Sequence, residues 1–147
     1  MFSFYLANSI QIKMKKTLLF GLFISFMILN LNAQNPEAIV QANLEAYNKH
    51  DIDTFMEYMA DDIEMYNMGE CEPYLKGKEN VKARYAAYFE KSPDLHSDIK
   101  QRIVFDNQVI DHEYITGANG SKEPFELIFI YEVRDGLIVK TTSIRKK

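Results

Sequence analysis

Apolar residues recur at helical spacing directly after Asn35-Pro36, with Val40, Leu44 and Tyr47 in one stripe and Ile39 and Ala46 beside it. Asn35 can cap this helix and Pro36 suits its first turn, so helix one is predicted from Pro36 to about Lys49. Asp51 can cap a second short helix reaching Met59, with Ile52, Phe55, Met56 and Met59 on its buried side and Ala60-Asp61-Asp62 ending it. From Ile63 to Met68 the period falls to two, placing Ile63, Met65 and Asn67 on one face of a strand. Gly69 to Gly77 carries no pattern. Glu79 to Lys91 returns to helical spacing through Val81, Tyr85, Tyr88 and Phe89, and Ser92-Pro93 stops it.

Everything after Asp98 alternates. Ile99 to Phe105 and Gln108 to Thr116 flank an Asp106-Asn107 turn, a loop runs from Gly117 to Pro124, and Phe125 to Val133 meets Leu137 to Ile144 across Asp135-Gly136. The order predicts an α+β fold in which three N-terminal helices pack on a curved, mostly antiparallel sheet, a shape that tends to enclose a pocket.

The residues before this domain follow another logic. Met14-Lys-Lys is followed by an apolar run from Leu18 to Leu31 and the small residue Ala33, the pattern of a secretory signal peptide. Its 14 apolar-run residues fall short of the roughly 20 that a membrane-spanning helix needs. Cleavage after Ala33 is expected, with Met14 a better start than Met1. The expected division is Met1 to Ala33 as upstream extension plus leader and residues 34–147 as one domain, exported to the periplasm or the medium and free of the membrane once cut.

Composition then narrows the function. The 147 residues are 47% hydrophobic, enough for a globular core in one domain. Residues 34–147 hold 14 basic against 21 acidic groups, a charge of −7, and the basic residues are scattered, so nucleic acid is not an expected partner. Cys71 has no partner for a disulfide, and Glu70 and Glu72 beside it oppose thiolate formation. No nucleotide loop or nucleophile elbow is present, so no cofactor is expected.

Five segments in order resemble the NTF2-like superfamily: Ala46 to Asp53, Met59 to Glu64, Lys76 to Val81, Val109 to Gly117 and Ile130 to Ile138. Val-Ile-Asp-His-Glu followed by Ile-Tyr-Glu-Val is similar to its SnoaL-like and ketosteroid isomerase-like members. The resemblance implies a cone-shaped fold, with Val109, Asp111, Glu113 and Ile115 facing the cavity and Ile110, His112 and Tyr114 facing outward toward a homodimer contact. It also implies that isomerase machinery is missing. The family's general base falls on Asn67, its oxyanion-hole Tyr on Asn43 and its protonated Asp on Phe129, while the supporting Tyr is kept as Tyr85. The cyclases' late carboxylate would fall within Thr141 to Lys147, where there is none.

Asp111 and Glu113 are the remaining candidates for acid–base chemistry, since two acids about 7 Å apart on one strand face repel and one keeps its proton near neutrality. His112 between them completes Asp-His-Glu, but consecutive strand residues point to opposite faces, so no metal site is expected; as a proton shuttle it would need the opposite register. His50 and His96 are expected in solvent. The candidate pocket comprises Asn43, Tyr47, Met56, Met65, Asn67, Tyr85, Phe89, Phe129 and Tyr131, apolar and thioether-rich with a few polar anchors. The reading is a secreted domain that binds a small apolar or amphipathic molecule in its cone. The alternatives are a SnoaL-like isomerase, cyclase or hydratase using Asp111 or Glu113, and a structural or interaction dimer with a filled core.

Overall fold

The computed structural model describes residues 35–146, so the leader expected over Met1 to Ala33 lies outside the described residues. Helix α1 (Pro36–Asn48) opens on Asn35, whose side chain accepts from the Glu37 N–H, and α2 (Ile52–Glu57) opens on Asp51, which accepts from the Thr54 N–H. Each cap satisfies a backbone donor that the first turn leaves free. Strand β1 (Met59–Asn67) leads through the short β2 (Leu75–Lys76) into α3 (Lys78–Glu90). β3 (His96–Phe105), β4 (Gln108–Thr116), β5 (Phe125–Arg134) and β6 (Leu137–Arg145) follow, with a single 3-10 turn (Ala118–Gly120) between β4 and β5.

The six strands form one mixed sheet in the order β2-β1-β6-β5-β4-β3. β3 to β6 make the antiparallel meander, and Asp135 and Gly136 turn between β5 and β6 with φ of 51° and 77°. The parallel pairing is β1 on β6.

Three expectations need correction. Helix two ends at Glu57 and Met59 already opens β1, because the Tyr58 carbonyl accepts from the Ile138 N–H at 2.8 Å and draws the chain onto β6. The Asp61-Asp62 pair, expected to end a helix, is the exposed stretch of β1 where pairing to β6 shifts register between Met59 and Glu64. The patternless stretch up to Gly77 contains β2, held by the Tyr74 N–H donating to the Met65 carbonyl and the Gly77 N–H to that of Ile63.

The core unites Val40 and Ala46 of α1, Phe55 and Met56 of α2, and Val81 and Phe89 of α3 with Ile63, Met65, Val109, Ile115, Leu127 and Ile138 of the strands. His50 belongs at its edge rather than in solvent: its ring lies 5.4 Å from that of Phe89 and its Nε2 is 3.0 Å from the Leu95 carbonyl. His96 is exposed, as expected. Gly117, in the left-handed region at φ 70°, lets the end of β4 cross the chain at Asp94, where a Cβ would stand 2.1 Å from the Asp94 carbonyl oxygen. No helix among the described residues is long and apolar enough to cross a membrane.

Candidate functional site

The helix layer does not fill the space over the sheet, and a cavity of about 550 Å³ remains between them. Ligand pockets start near roughly 300 Å³, so the filled core is the alternative that loses support. β1, β6, β5 and β4 build its floor side by side: Met65 pairs with Thr141, Thr141 with Tyr131, Asn67 with Ser143, Ser143 with Phe129, and Leu127 with Glu113. Because strand side chains alternate, β4 turns Val109, Asp111, Glu113 and Ile115 inward, all four at most 3% exposed.

Tyr47 of α1 and Tyr85 of α3 stand over this floor, their rings 6.3 Å apart and edge-on, with Phe55 4.8 Å from Tyr85. Burial raises both hydroxyls well above the usual phenol range, with neighbouring tyrosines adding to the effect. They are neutral donors at any physiological pH.

The two inward carboxylates have opposite environments. Asp111 is held by Arg102 of β3 in a two-point pair, Nε to Oδ1 at 2.7 Å and Nη2 to Oδ2 at 2.6 Å, and Arg102 Nη1 donates to Gln41 Oε1 at 2.9 Å. That geometry satisfies both oxygens of a fully buried charge. Glu113 has no such partner. Ser97 Oγ donates to its Oε2 at 2.7 Å and the Tyr131 hydroxyl to its Oε1 at 3.0 Å. Ser97 is itself fixed by Asn48 at the end of α1, whose side chain accepts from the Ser97 N–H and donates to its carbonyl. Burial pushes the Glu113 carboxyl up to about 7, against the opposing pull of the Ser97 and Tyr131 hydrogen bonds, and the Asp111 charge adds a smaller push.

The sequence therefore foresaw one raised carboxyl, but its reason needs correcting. Asp111–Glu113 repulsion is secondary, and Asp111 does not line the cavity because Arg102 engages both its oxygens. His112 is also removed from the candidate set. It faces the opposite side of the sheet, where its Nε2 lies 2.9 Å from Glu126 Oε2.

Of the candidate pocket residues, Asn43, Tyr47, Met65, Asn67, Tyr85, Phe129 and Tyr131 line the cavity together. Met56 and Phe89 do not: both are packed into the helix side of the core. Asn43 is committed to the helix layer through Nδ2 donating to the Phe55 carbonyl at 2.9 Å, and Asn67 Oδ1 accepts from Ser143 Oγ at 3.1 Å.

Sequence reasoning missed Thr141, which lines the cavity at 1% exposure with a hydroxyl that has no hydrogen-bond partner among the described residues. Nothing local marks it, since its position depends on the parallel β1–β6 pairing. Also missed were Tyr74 and the basic residues Arg84, Lys91 and Arg145. For Arg84 and Lys91 a signal existed, because Arg84 stands four positions before Tyr88 on one face of α3 and Lys91, which caps the helix, three positions after it. Among the described residues no group of three or more His, Cys, Asp or Glu side chains is placed to hold a metal ion.

This architecture is shared with solved proteins. One is described as an uncharacterized cystatin-fold protein from Novosphingobium aromaticivorans, 29% identical, at a TM-score of 0.69 over 76% of this chain and 98% of that one. A putative ketosteroid isomerase from Kribbella flavida is 15% identical, at a TM-score of 0.63 over 76% and 78% of the two chains. An LEH-like epoxide hydrolase from M. tuberculosis is 18% identical, at 0.62 over 80% and 84%. The last two likenesses are of fold alone. No curated protein matches the sequence. Residues 40–141, from α1 to the Thr141 position on the cavity floor, match the SnoaL-like domain model, and the chain belongs to that family.

Proposed function

We propose that this SnoaL-like domain binds one small molecule in its cone, apolar along most of its body and carrying a hydroxyl or carbonyl that meets the polar groups of the floor. The observation that carries this reading is Thr141: a fully buried hydroxyl without a protein partner costs free energy unless something else bonds to it. It sits between Met65 and Tyr131, so a bound molecule would reach it across an apolar and thioether surface.

Catalysis is the second reading, and Glu113 alone favours it. A carboxyl near 7 in a cavity is poised to give or take a proton at neutral pH. The neighbouring structures do not choose the reaction, since their descriptions name an isomerase and an epoxide hydrolase on one fold. The resemblance puts Asn67, Asn43 and Phe129 where the isomerases carry their acids, so the proposal does not run through that mechanism.

Native mass spectrometry of the protein purified from its own host tests the binding reading. A noncovalent adduct of small-molecule mass is expected on the wild type and lost in Thr141→Met, which fills the floor and removes the hydroxyl. Absence of any adduct, together with no thermal stabilisation by a panel of hydrophobic alcohols and ketones, overturns it. Two further parts of the proposal concern context. Export by the Met1 to Ala33 leader is read out by N-terminal sequencing of the native protein. A homodimer through the outer sheet face, where Ile110, Ile128, Ile130 and Ile144 are neighbours across the strands, is read out by sedimentation at micromolar concentration.

A further inference from the structure

The cavity is charged in a way that the chain as a whole is not. Residues 34–147 carry a surplus of acid, yet Glu113 is the single acidic residue among the described residues lining the cavity, against three basic ones. Arg84 comes from α3, Lys91 from the residue that caps its C-terminal end, and Arg145 from the end of β6. All three are exposed, whereas Glu113 is buried, so the basic groups stand toward solvent and the acid stands inside. None of the three forms an ion pair among the described residues, so no carboxylate among these occupies them.

Both guanidiniums act on the Tyr74 hydroxyl. Arg84 and Arg145 both offset the burial that raises the Tyr74 phenol, and Arg145 does the same for Tyr85 and Tyr88. Arg145 also lies 5.8 Å from the Phe125 ring, a weakly hydrated cation held against an apolar wall. Phenol donors and guanidinium forks are the groups that bind a carboxylate or sulfonate.

We infer that the ligand is an amphipathic anion whose acidic group is held at the mouth by Arg84, Lys91 and Arg145, whose apolar body lies over Met65, Leu127 and Phe129, and whose inner end carries the hydroxyl or carbonyl that reaches Thr141. This rests on the binding reading above and adds the charge and the orientation of what binds. A neutral ligand would leave three cations unmatched around the opening. A cationic one would meet them head on, and Glu113, near 7 when the cavity is empty, is no strong counter-charge for it.

Three compounds with one chain length and different heads separate the possibilities: decanoate, decan-1-ol and decyltrimethylammonium. Calorimetric titration at pH 6.0 keeps decanoate ionised, since a carboxylic acid of its kind titrates near 4–5, while Glu113 stays mostly protonated. At about 20 mM salt decanoate is expected to bind on the order of tenfold more tightly than decan-1-ol. That margin should collapse at about 0.5 M salt, because exposed charges are screened over a few ångströms there. The triple variant R84Q/K91Q/R145Q should bring decanoate to the affinity that decan-1-ol has for the same variant, a loss of the roughly tenfold margin. Equal binding of acid and alcohol by the wild type, tighter binding of the ammonium, or a margin that survives the triple variant overturns the anion inference while leaving the binding reading in place. Failure of all three compounds to bind likewise overturns the anion inference, whereas the binding reading falls only with the native mass spectrum and the alcohol and ketone panel.

Discussion

Glu113→Gln removes one titration and little else, which makes it a sharp probe of the cavity floor. The carboxyl is raised from 4.5 to about 7 in the folded protein, chiefly by burial. Between those values the folded state holds a proton that the unfolded state has released. Stability from this group is therefore full below about pH 4.5, falls as pH rises, and is lost beyond about pH 7. At 1.36 kcal/mol per pKa unit the full loss is about 3 kcal/mol. Glutamine keeps the shape and can still accept from Ser97 Oγ or the Tyr131 hydroxyl, which donate to Glu113 in the wild type. The variant should match the wild type within about 1 kcal/mol at pH 4.5 and exceed it by about 2–3 kcal/mol at pH 9. Urea unfolding at the two pH values, extrapolated linearly to water, measures the difference directly. Other groups whose carboxyls are lowered in the fold, such as Glu64 and Asp51, contribute equally to both proteins and cancel. A gap between variant and wild type that stays constant from pH 4.5 to 9 would refute both the raised carboxyl and the acid–base candidacy built on it.

Three other perturbations follow from the same geometry. Arg102→Leu strands the Asp111 charge in the core and should cost about 3–5 kcal/mol, whereas R102L/D111L, which removes both charges, should recover most of it in urea unfolding; equal losses would mean the pair is not what the site depends on. Thr141→Val deletes a buried hydroxyl without a partner and should stabilise the unliganded protein by about 1 kcal/mol while weakening ligand binding, a trade-off read by thermal melts with and without ligand. Gly117→Ala sets a Cβ against the Asp94 carbonyl at a positive φ and should cost more than ~2 kcal/mol, seen as a lowered melting temperature; a neutral result would refute the close approach.

What could be read from the chain is what local periodicity encodes. The alternation of Val109 to Ile115 correctly separated Asp111 and Glu113 from His112, and the caps at Asn35 and Asp51 set the helix starts. What stayed hidden depends on partners far along the chain. The Tyr58 carbonyl accepts from the Ile138 N–H, a contact across 80 positions, and pairing of this kind with β6 makes Met59 and Ala60 a strand rather than a helix end. Thr141 reads as an ordinary strand threonine until parallel pairing sets it between Met65 and Tyr131. Met56 and Phe89 show the converse: their spacing made them apolar and inward, but helical periodicity does not distinguish the core between two helices from the wall of a cavity.

Asp111 and Glu113 differ in chemistry because of β3, not because of β4. On their own strand they are equivalent, two residues apart on the same face and nearly equally buried. Across the ladder Asp111 is paired with Arg102 and Glu113 with Ile99, and the shift of register between Ile99 and Gln101 sets which residue of β3 meets which acid. The guanidinium cancels one charge, the isoleucine cancels nothing, and Ser97 supplies only a neutral hydrogen bond. One bulge thus leaves the sheet with a structural ion pair and, one position pair along, a carboxyl free to hold its proton. The one carboxyl lining the cavity among the described residues is therefore a product of strand registry, and it stands alone because Arg102 takes the other acid out of the cavity.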